Sequence, residues 1–326
     1  MINLTDANAI VKPTKRVNIM DTIDMLPEVP SSFWMDSTKI NNYPQLKEDL
    51  KVDIAIVGGG IVGITTAYLL KQAGVSVVVL DADRILQGTT AHTTSKLTSQ
   101  HAIIYSKIKS QMSEELAGLY AEANQYAIDM VEKIMQEKSI QCDFVRLPAY
   151  TYTQSDQYVG QIEDEIDTAR SLGIEASFQK ELPLPFPVKA AMRFENQAQF
   201  HCLKFLKELA RDIPGQGSHI FEQTKAVNIQ EGNPLTVVTE PGHQIKANQI
   251  VIASHFPFFD GGGFYFSRIY LERSYVVAAT IKEEFPEAHF ISAEDPGRSL
   301  RYTPSKYGRL VLFGGEHHKT GHGTDT

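Results

Sequence analysis

Gly58, Gly60 and Gly63 stand at G-x-G-x-x-G spacing directly after the apolar run Ile54-Ala-Ile-Val57, a pattern that brings main-chain N–H groups up to a pyrophosphate. Gly58 permits the tight turn, Gly60 removes the Cβ that would hold a phosphate away from the backbone, and Gly63 lets the next helix lie close on the strand. Asp81 closes a second apolar run, Ser76-Val-Val-Val-Leu80, at the position from which a carboxylate accepts a ribose hydroxyl. Gly88-Thr-Thr-Ala-His-Thr-Thr94 then supplies hydroxyls and an imidazole suited to phosphates and polyol chains. Taken together, these residues are equipped to hold a dinucleotide.

The elements that must position them follow from periodicity. Ile54–Val57 reads as a strand buried on both faces. Residues 61–73 read as a helix with Ile61, Ile64, Tyr68 and Leu69 near one face, stopped by Gly74. Its free N–H groups point at the phosphates. Strand, glycine turn, helix, strand and terminal acid thus succeed one another within about thirty residues, which makes a βαβ unit and an α/β fold class.

The 326 residues, 42% hydrophobic and 21% charged, are enough for two cores. A net charge of -8 with scattered basic residues gives nucleic acid or an anionic membrane no electrostatic hold, so neither is expected as a partner. No apolar stretch reaches the roughly eighteen residues of a membrane span and the first residues lack a leader pattern, so a cytoplasmic protein is expected. Cys142 and Cys202 lie outside any C-x-x-C pattern and read as buried thiols.

Residues 1–50, broken by Pro27, Pro30 and Pro44, read as an N-terminal arm whose single tryptophan, Trp34, anchors it by its apolar body. Ile108, Met112, Leu116, Leu119, Tyr126, Met130 and Ile134 give one long amphipathic helix or two abutting ones, with that stripe in the core. From Asp143 the pattern turns to mixed α and β, as a second domain requires. Strands are expected over 226–230, 235–239 and 249–254, the last parallel and buried, and again over 274–281, 299–302 and 309–313. Gly314-Gly-Glu-His-His-Lys-Thr-Gly-His322 reads as a polar loop, and no metal site is expected.

These residues resemble the flavin-dependent D-amino-acid oxidase and glycine oxidase family over most of residues 51–326. Within it, Ser32-Phe-Trp-Met35, Gly88-Thr-Thr-Ala-His-Thr-Thr94, Ser254-His-Phe-Pro-Phe258, Glu272-Arg-Ser-Tyr275 and Gly314-Gly-Glu-His317 are similar to bacterial oxidoreductases that often carry a C-terminal Rieske domain. The resemblance implies a Rossmann-like FAD-binding domain, residues 51–142 and 200–258, interleaved with an α+β substrate domain, residues 143–199 and 259–326. It implies FAD as cofactor, with Gly58, Gly60 and Gly63 at the pyrophosphate and Asp81 at the ribose. Thr89, Thr90 and Thr94 fall at the phosphate and ribityl region, Val227 at the adenine through its backbone, and Ala253 and Ser254 at the flavin edge. His92 falls near the flavin, in a segment resembling one where dimethylglycine and sarcosine dehydrogenases attach flavin covalently. Where the family commonly has His-Pro, this chain has His201-Cys202.

The implied reaction is oxidation of the C–N bond of a small amine or amino acid by hydride transfer to flavin, which demands no acid–base pair from the protein. The electron acceptor is left open. Arg273 and Arg301 are candidates for gripping a substrate carboxylate, because a guanidinium binds it bidentately. An NAD-dependent dehydrogenase would use the same glycine turn, and a non-catalytic nucleotide-binding fragment would use it without redox chemistry. The family's flavin domain is closed by a final strand and helix, and nothing after Phe313 is apolar enough to enter a parallel sheet. The 326-residue chain is therefore expected to lack that closing segment, to bind FAD weakly and to show little turnover.

Overall fold

The computed structural model describes residues 31–306 and 308–320. Two sheets carry the chain. The first has the order β7-β2-β1-β10-β9-β8, built from β1 (Leu50–Val57), β2 (Val77–Leu80), β7 (His219–Phe221), β8 (Ala226–Gln230), β9 (Leu235–Thr239) and β10 (Gln244–Ile252). β1 pairs in parallel with both β2 and β10, and Ile54–Val57 at its end are buried on both faces. Ile54 and Ile56 pack with Ile64, Ala67 and Tyr68 of helix α2 (Ile61–Gln72). Ala55 and Val57 pack on the other side with Val78, Leu80, Val237 and Ile245. At the end of α2, Gly74 takes φ +82° and Val75 N–H returns to the Leu70 carbonyl at 3.1 Å, a left-handed stop that glycine allows.

β10 departs from the expected burial. It runs parallel to β1, but β9 leaves it after Ala247, so among the described strands Asn248–Ile252 has β1 alone as a neighbour. Ile252 is exposed as a result.

The second sheet has the order β11-β14-β13-β12-β4-β6-β3, with β5 also on β6. Its strands are β3 (Lys96–Leu97), β4 (Val145–Thr153), β5 (Ala176–Gln179), β6 (Ala190–Gln199), β11 (Glu272–Thr280), β12 (His289–Ser292), β13 (Ser299–Ser305) and β14 (Gly308–Lys319). One face carries Met192 and Phe194 against Ile162 and Ile166 of helix α5 (Val159–Ser171). The other carries Tyr150 stacked on Phe290 at 5.2 Å. Helix α3 (Tyr105–Gln111) is capped by the Glu165 carboxylate, which is fully buried and accepts the N–H groups of Ile104, Tyr105 and Ser106 at 2.7–2.8 Å.

The amphipathic stretch resolves into α3 and helix α4 (Glu114–Glu137), with Ser113 Oγ accepting Leu116 N–H at 3.1 Å. Two abutting helices are thus present, but part of the expected core stripe is overturned. Met112, Leu116, Leu119 and Tyr126 are exposed, and α4 buries Ala117, Ala121, Ile128 and Ile134 instead. A second helix of the first sheet's layer, α6 (Cys202–Arg211), places Leu203, Leu206 and Leu209 in the same core as Ile64.

Ahead of β1, the short helix α1 (Phe33–Ser37) buries Trp34 to 3% exposure, and its indole Nε1–H donates to the Thr93 carbonyl at 2.7 Å. The tryptophan is the anchor its composition suggested. The remainder of the arm, residues 1–30, lies outside the described residues.

Candidate functional site

The glycine turn joins β1 to α2. Gly58 adopts φ +111°, donates to the Leu80 carbonyl at 2.8 Å, and would place a Cβ 2.3 Å from the Ala253 carbonyl oxygen. At Gly63 a Cβ would fall 1.8 Å from the Gly58 oxygen, so both positions exclude any other residue on steric grounds. Gly60 lies under Thr90, whose Oγ1 would stand 3.2 Å from an added Cβ and accepts Ile61 N–H at 2.9 Å. Asp81, at the end of β2, accepts Gly59 N–H on Oδ2 at 2.8 Å and Asp83 N–H on Oδ1 at 2.9 Å. One carboxylate thereby shapes the turn while each oxygen keeps a lone pair for a ribose hydroxyl. A cradle of this form, cleared by glycine and facing a helix N-terminus, fits a dinucleotide pyrophosphate.

Residues 88–98 run from this cradle to the second sheet. Thr89–His92 form one 3₁₀ turn. Thr90 is buried, while Thr89 and His92 are exposed, and His92 Nδ1 lies 3.0 Å from the Gly88 carbonyl oxygen. Thr94 is half-buried, and its Cγ2 would lie 3.6 Å from a Cβ on Gly314. On the first sheet, Ala253 N–H donates to Val57 O at 2.7 Å and Ser254 Oγ donates to Phe256 O at 2.8 Å. Val227 is the residue skipped where the β8–β9 register slips between Ala226 and Asn228, and it is exposed. A bulge of this kind leaves its residue outside the ladder, so the main-chain groups of Val227 stand free of the β8–β9 pairing.

The two arginines do not share a site. Arg273 on β11 is exposed and faces His318 in the register, whereas Arg301 on β13 faces Leu312, six residues away along β14. Arg301 is 1% exposed, and its Nη1 donates to the carbonyls of Thr94 and Ser95 at 2.6 and 2.7 Å while Nε donates to Tyr302 O at 3.1 Å. Its guanidinium also sits 5.7 Å from the Trp34 ring centroid. Burial pulls this arginine down to about 9.

Around Arg301 the sheet assembles groups that the sequence alone did not single out. Lys96 is directly opposite Gln199 in the β3–β6 pair, and His289 Nε2 lies 3.3 Å from Gln199 Oε1. Burial, reinforced by the Arg301 charge, lowers Lys96 to about 8 and holds His289 well below the ordinary imidazole range. No motif spacing links positions 96, 199, 289 and 301; strand order alone brings them together.

A cavity of about 1300 Å³ opens on the opposite face, lined by Tyr152, Phe186, Tyr275, Phe285, Leu300 and Phe313. Leu300 and Phe313 alternate with Arg301 and Leu312 along their strands and so point away from the basic groups. His317 Nε2 lies 3.1 Å from Asp295 Oδ1, and among the described residues no three His, Cys, Asp or Glu side chains converge on a metal position. Cys142 and Cys202 are buried free thiols, which burial raises, Cys142 to about 11. No helix among the described residues is long and apolar enough to cross a membrane.

Residues 53–326 match the family described as FAD dependent oxidoreductase. The chain is 45% identical over 296 residues to the Bacillus subtilis (strain 168) protein YhfW, whose name describes a Rieske 2Fe-2S iron-sulfur protein, covering 91% of this chain and 58% of the relative. It is 22% identical over 237 residues to gamma-glutamylputrescine oxidoreductase of Escherichia coli (strain K12), covering 71% of this chain and 55% of that protein. The chain thus spans little more than half the length of these relatives. Its fold is shared with glycine oxidase from Geobacillus kaustophilus at a TM-score of 0.65 and 17% identity, over 83% of this chain and 72% of the oxidase. The glycine cradle, the acid after β2 and the family match over residues 53–326 lead to one conclusion: the chain belongs to the FAD dependent oxidoreductase family, and FAD is its cofactor.

Proposed function

We propose that this chain oxidises the C–N bond of a small amine or amino acid. The observation that carries the reading is the FAD dependent oxidoreductase family match over residues 53–326, together with a nucleotide cradle joined to the second sheet by the Thr93–Ser95 strap, which Trp34 and Arg301 hold. Bound there, FAD supplies a hydride acceptor for the carbon next to a neutral amine nitrogen. The protein's own part is to hold and orient. Gly58, Gly60 and Gly63 take the pyrophosphate, Asp81 the ribose, and Val227 the adenine. Thr89, Thr90 and Thr94 serve the phosphate and ribityl chain, His92 lies near the flavin, and Ala253 and Ser254 line the flavin edge. The two relatives named for amine-containing substrates, gamma-glutamylputrescine oxidoreductase and glycine oxidase, support the C–N assignment, and the name of YhfW points to a Rieske centre as electron acceptor.

The test is a flavin spectrum of the purified protein followed by anaerobic titration with amines, amino acids and 2-hydroxy acids. Bleaching by an amine or amino acid is expected. Bound flavin that only 2-hydroxy acids reduce would assign a C–O bond instead, and flavin reduced by none of them would favour a nucleotide-binding role.

A further inference from the structure

Helix α4 turns a second apolar face away from the protein. Leu116, Leu119, Ala123, Tyr126 and Met130 recur at alternating spacings of three and four residues, which aligns them on one side of a helix. Ala117, Ala121 and Ile128, which α4 buries, lie on the opposite side. Leu119 is 55% exposed and Tyr126 67% exposed, with Leu116 and Ala123 exposed and Met130 half-buried. Single apolar residues at a surface need no explanation. A row that runs for about 21 Å along a helix, in the spacing of a helix–helix seam, marks a contact face. One border of the row is acidic. Glu115, Glu122 and Asp129 directly precede Leu116, Ala123 and Met130 at intervals of seven residues, and all three are exposed. Arg146 engages Asp129 at 2.6 Å and Lys133, further along, pairs with Glu137 at 3.8 Å, whereas Glu115 and Glu122 form no ion pair among the described residues. The other border, Tyr120, Ala127 and Ile134, carries no charge.

We propose that this face of α4 docks an amphipathic helix of a partner protein, one with an apolar stripe about two heptads long bordered by Lys or Arg. The two apolar stripes close against each other, and the partner's basic row meets Glu115 and Glu122. Charge selects this occupant over the others. An antiparallel pair of two α4 helices would set the acidic borders against each other, and a parallel pair would set each against the uncharged border of the other, so a second copy of this chain offers no complement. An anionic membrane surface is repelled by the same acids. The inference is independent of the C–N reading, since α4 carries none of the residues assigned to the cofactor.

The probes are two synthetic helical peptides with leucines at the same alternating spacing, identical except that one carries lysines and the other glutamates beside the stripe. Each is labelled and followed by fluorescence anisotropy as the 326-residue chain is added. The lysine peptide should bind about tenfold more tightly than the glutamate peptide at low ionic strength, and the difference should shrink at about 0.3 M salt. Leu119→Ser with Tyr126→Ser should weaken the lysine peptide about tenfold. The same pair should leave the melting temperature within about 2 °C of the parent, because both side chains already stand in solvent. Glu115→Lys with Glu122→Lys should reverse the preference, so that the glutamate peptide binds more tightly, and this variant decides the matter if the serine variant fails to fold. Three results overturn the proposal: a parent that binds neither peptide, a parent that binds both equally, and a preference that neither variant changes, which would place the peptide on another surface. Sedimentation of the parent adds a fourth, since a dimer that the serine variant abolishes would give the face to a second copy.

Discussion

Asp81 does two jobs with one carboxylate, and its substitution separates them. Oδ2 fixes Gly59 N–H, on the turn that clears the pyrophosphate path, and Oδ1 fixes Asp83 N–H. On the proposed ribose contact, Asp81→Ala removes that acceptor and loosens the turn together, so FAD affinity should fall by about one to two decades, on the order of 1.5–3 kcal/mol. Asp81→Asn keeps an oxygen for Gly59 N–H and should lose less. Titration of apoprotein with FAD, followed by flavin fluorescence, measures both. An alanine variant that binds FAD as tightly as the parent would show that the acid shapes nothing the cofactor uses. This residue was legible in sequence because its partners are local: glycine turn and acid belong to one βαβ unit. Gln199 and His289 were not, since a glutamine and a histidine in strands carry no signal until a neighbouring strand leaves their Nε2 and Nδ1 atoms unpartnered.

At the scale of elements, α1 and α6 are held together through His201. This residue caps α6, its Nδ1 accepting Lys204 N–H at 3.3 Å, and its Nε2 lies 2.9 Å from Ser37 Oγ and 3.2 Å from Thr38 Oγ1. The ring meets Trp34 edge-on at 4.8 Å between centroids. Burial, with help from the Lys204 charge, pushes His201 down to about 4. A second proton would have to sit on Nδ1, where it would face the Lys204 N–H and break the cap. The folded pKa lies below the unfolded value of about 6.5, so the unfolded chain binds more protons between them. His201's contribution to stability is therefore complete above about pH 6.5 and is lost as pH falls towards 4. Between pH 7 and pH 5 this single group should cost about 2 kcal/mol. His201→Asn retains a capping side chain and does not titrate, so the difference between parent and variant in urea unfolding at the two pH values isolates the effect. The same pH dependence in both proteins would assign the loss to other groups. Elements also mark where periodicity misled. The apolar residues of 108–134 read as one core stripe on one long helix or two abutting ones; the helices do break at Ser113, but α4 turns Ala117 and Ala121 inward in place of Leu116 and Leu119. β6 went unread because Gln197 and Gln199, both fully buried, break the alternation a strand is recognised by. Gln197 is accommodated because its Oε1 accepts Ser99 N–H at 2.6 Å.

For the whole molecule, Arg301 is the bolt between the two sheets. It leaves β13 of the second sheet, grips the carbonyls of Thr94 and Ser95 on the strap that descends from the nucleotide cradle, and lies against Trp34. Trp34 in turn holds Thr93 of the same strap, so three successive strap residues are fixed from two directions. Sequence reasoning recognised the glycine turn and the Trp34 anchor, each from local features, and offered Arg301 for a substrate carboxylate because residue type was all it had. The task visible in the fold depends on residues more than 200 positions away, which no spacing rule connects. Arg301→Met keeps much of the apolar volume but removes the donor to the Thr94, Ser95 and Tyr302 carbonyls, at a cost of about 3 kcal/mol. For a chain of this size that is a fall in melting temperature of about 4–5 °C. Lysine has a single nitrogen in place of the fork, so Arg301→Lys should recover only part of the loss. On the proposed placement of Thr94 beside the cofactor, the methionine variant should also release FAD faster, in proportion to the loosening of residues 93–95. Thermal melts paired with flavin-release rates test the link. A stability loss with unchanged FAD release would mean that the bolt joins the sheets without setting the cofactor's place. Unchanged values of both would mean that Trp34 alone holds the strap.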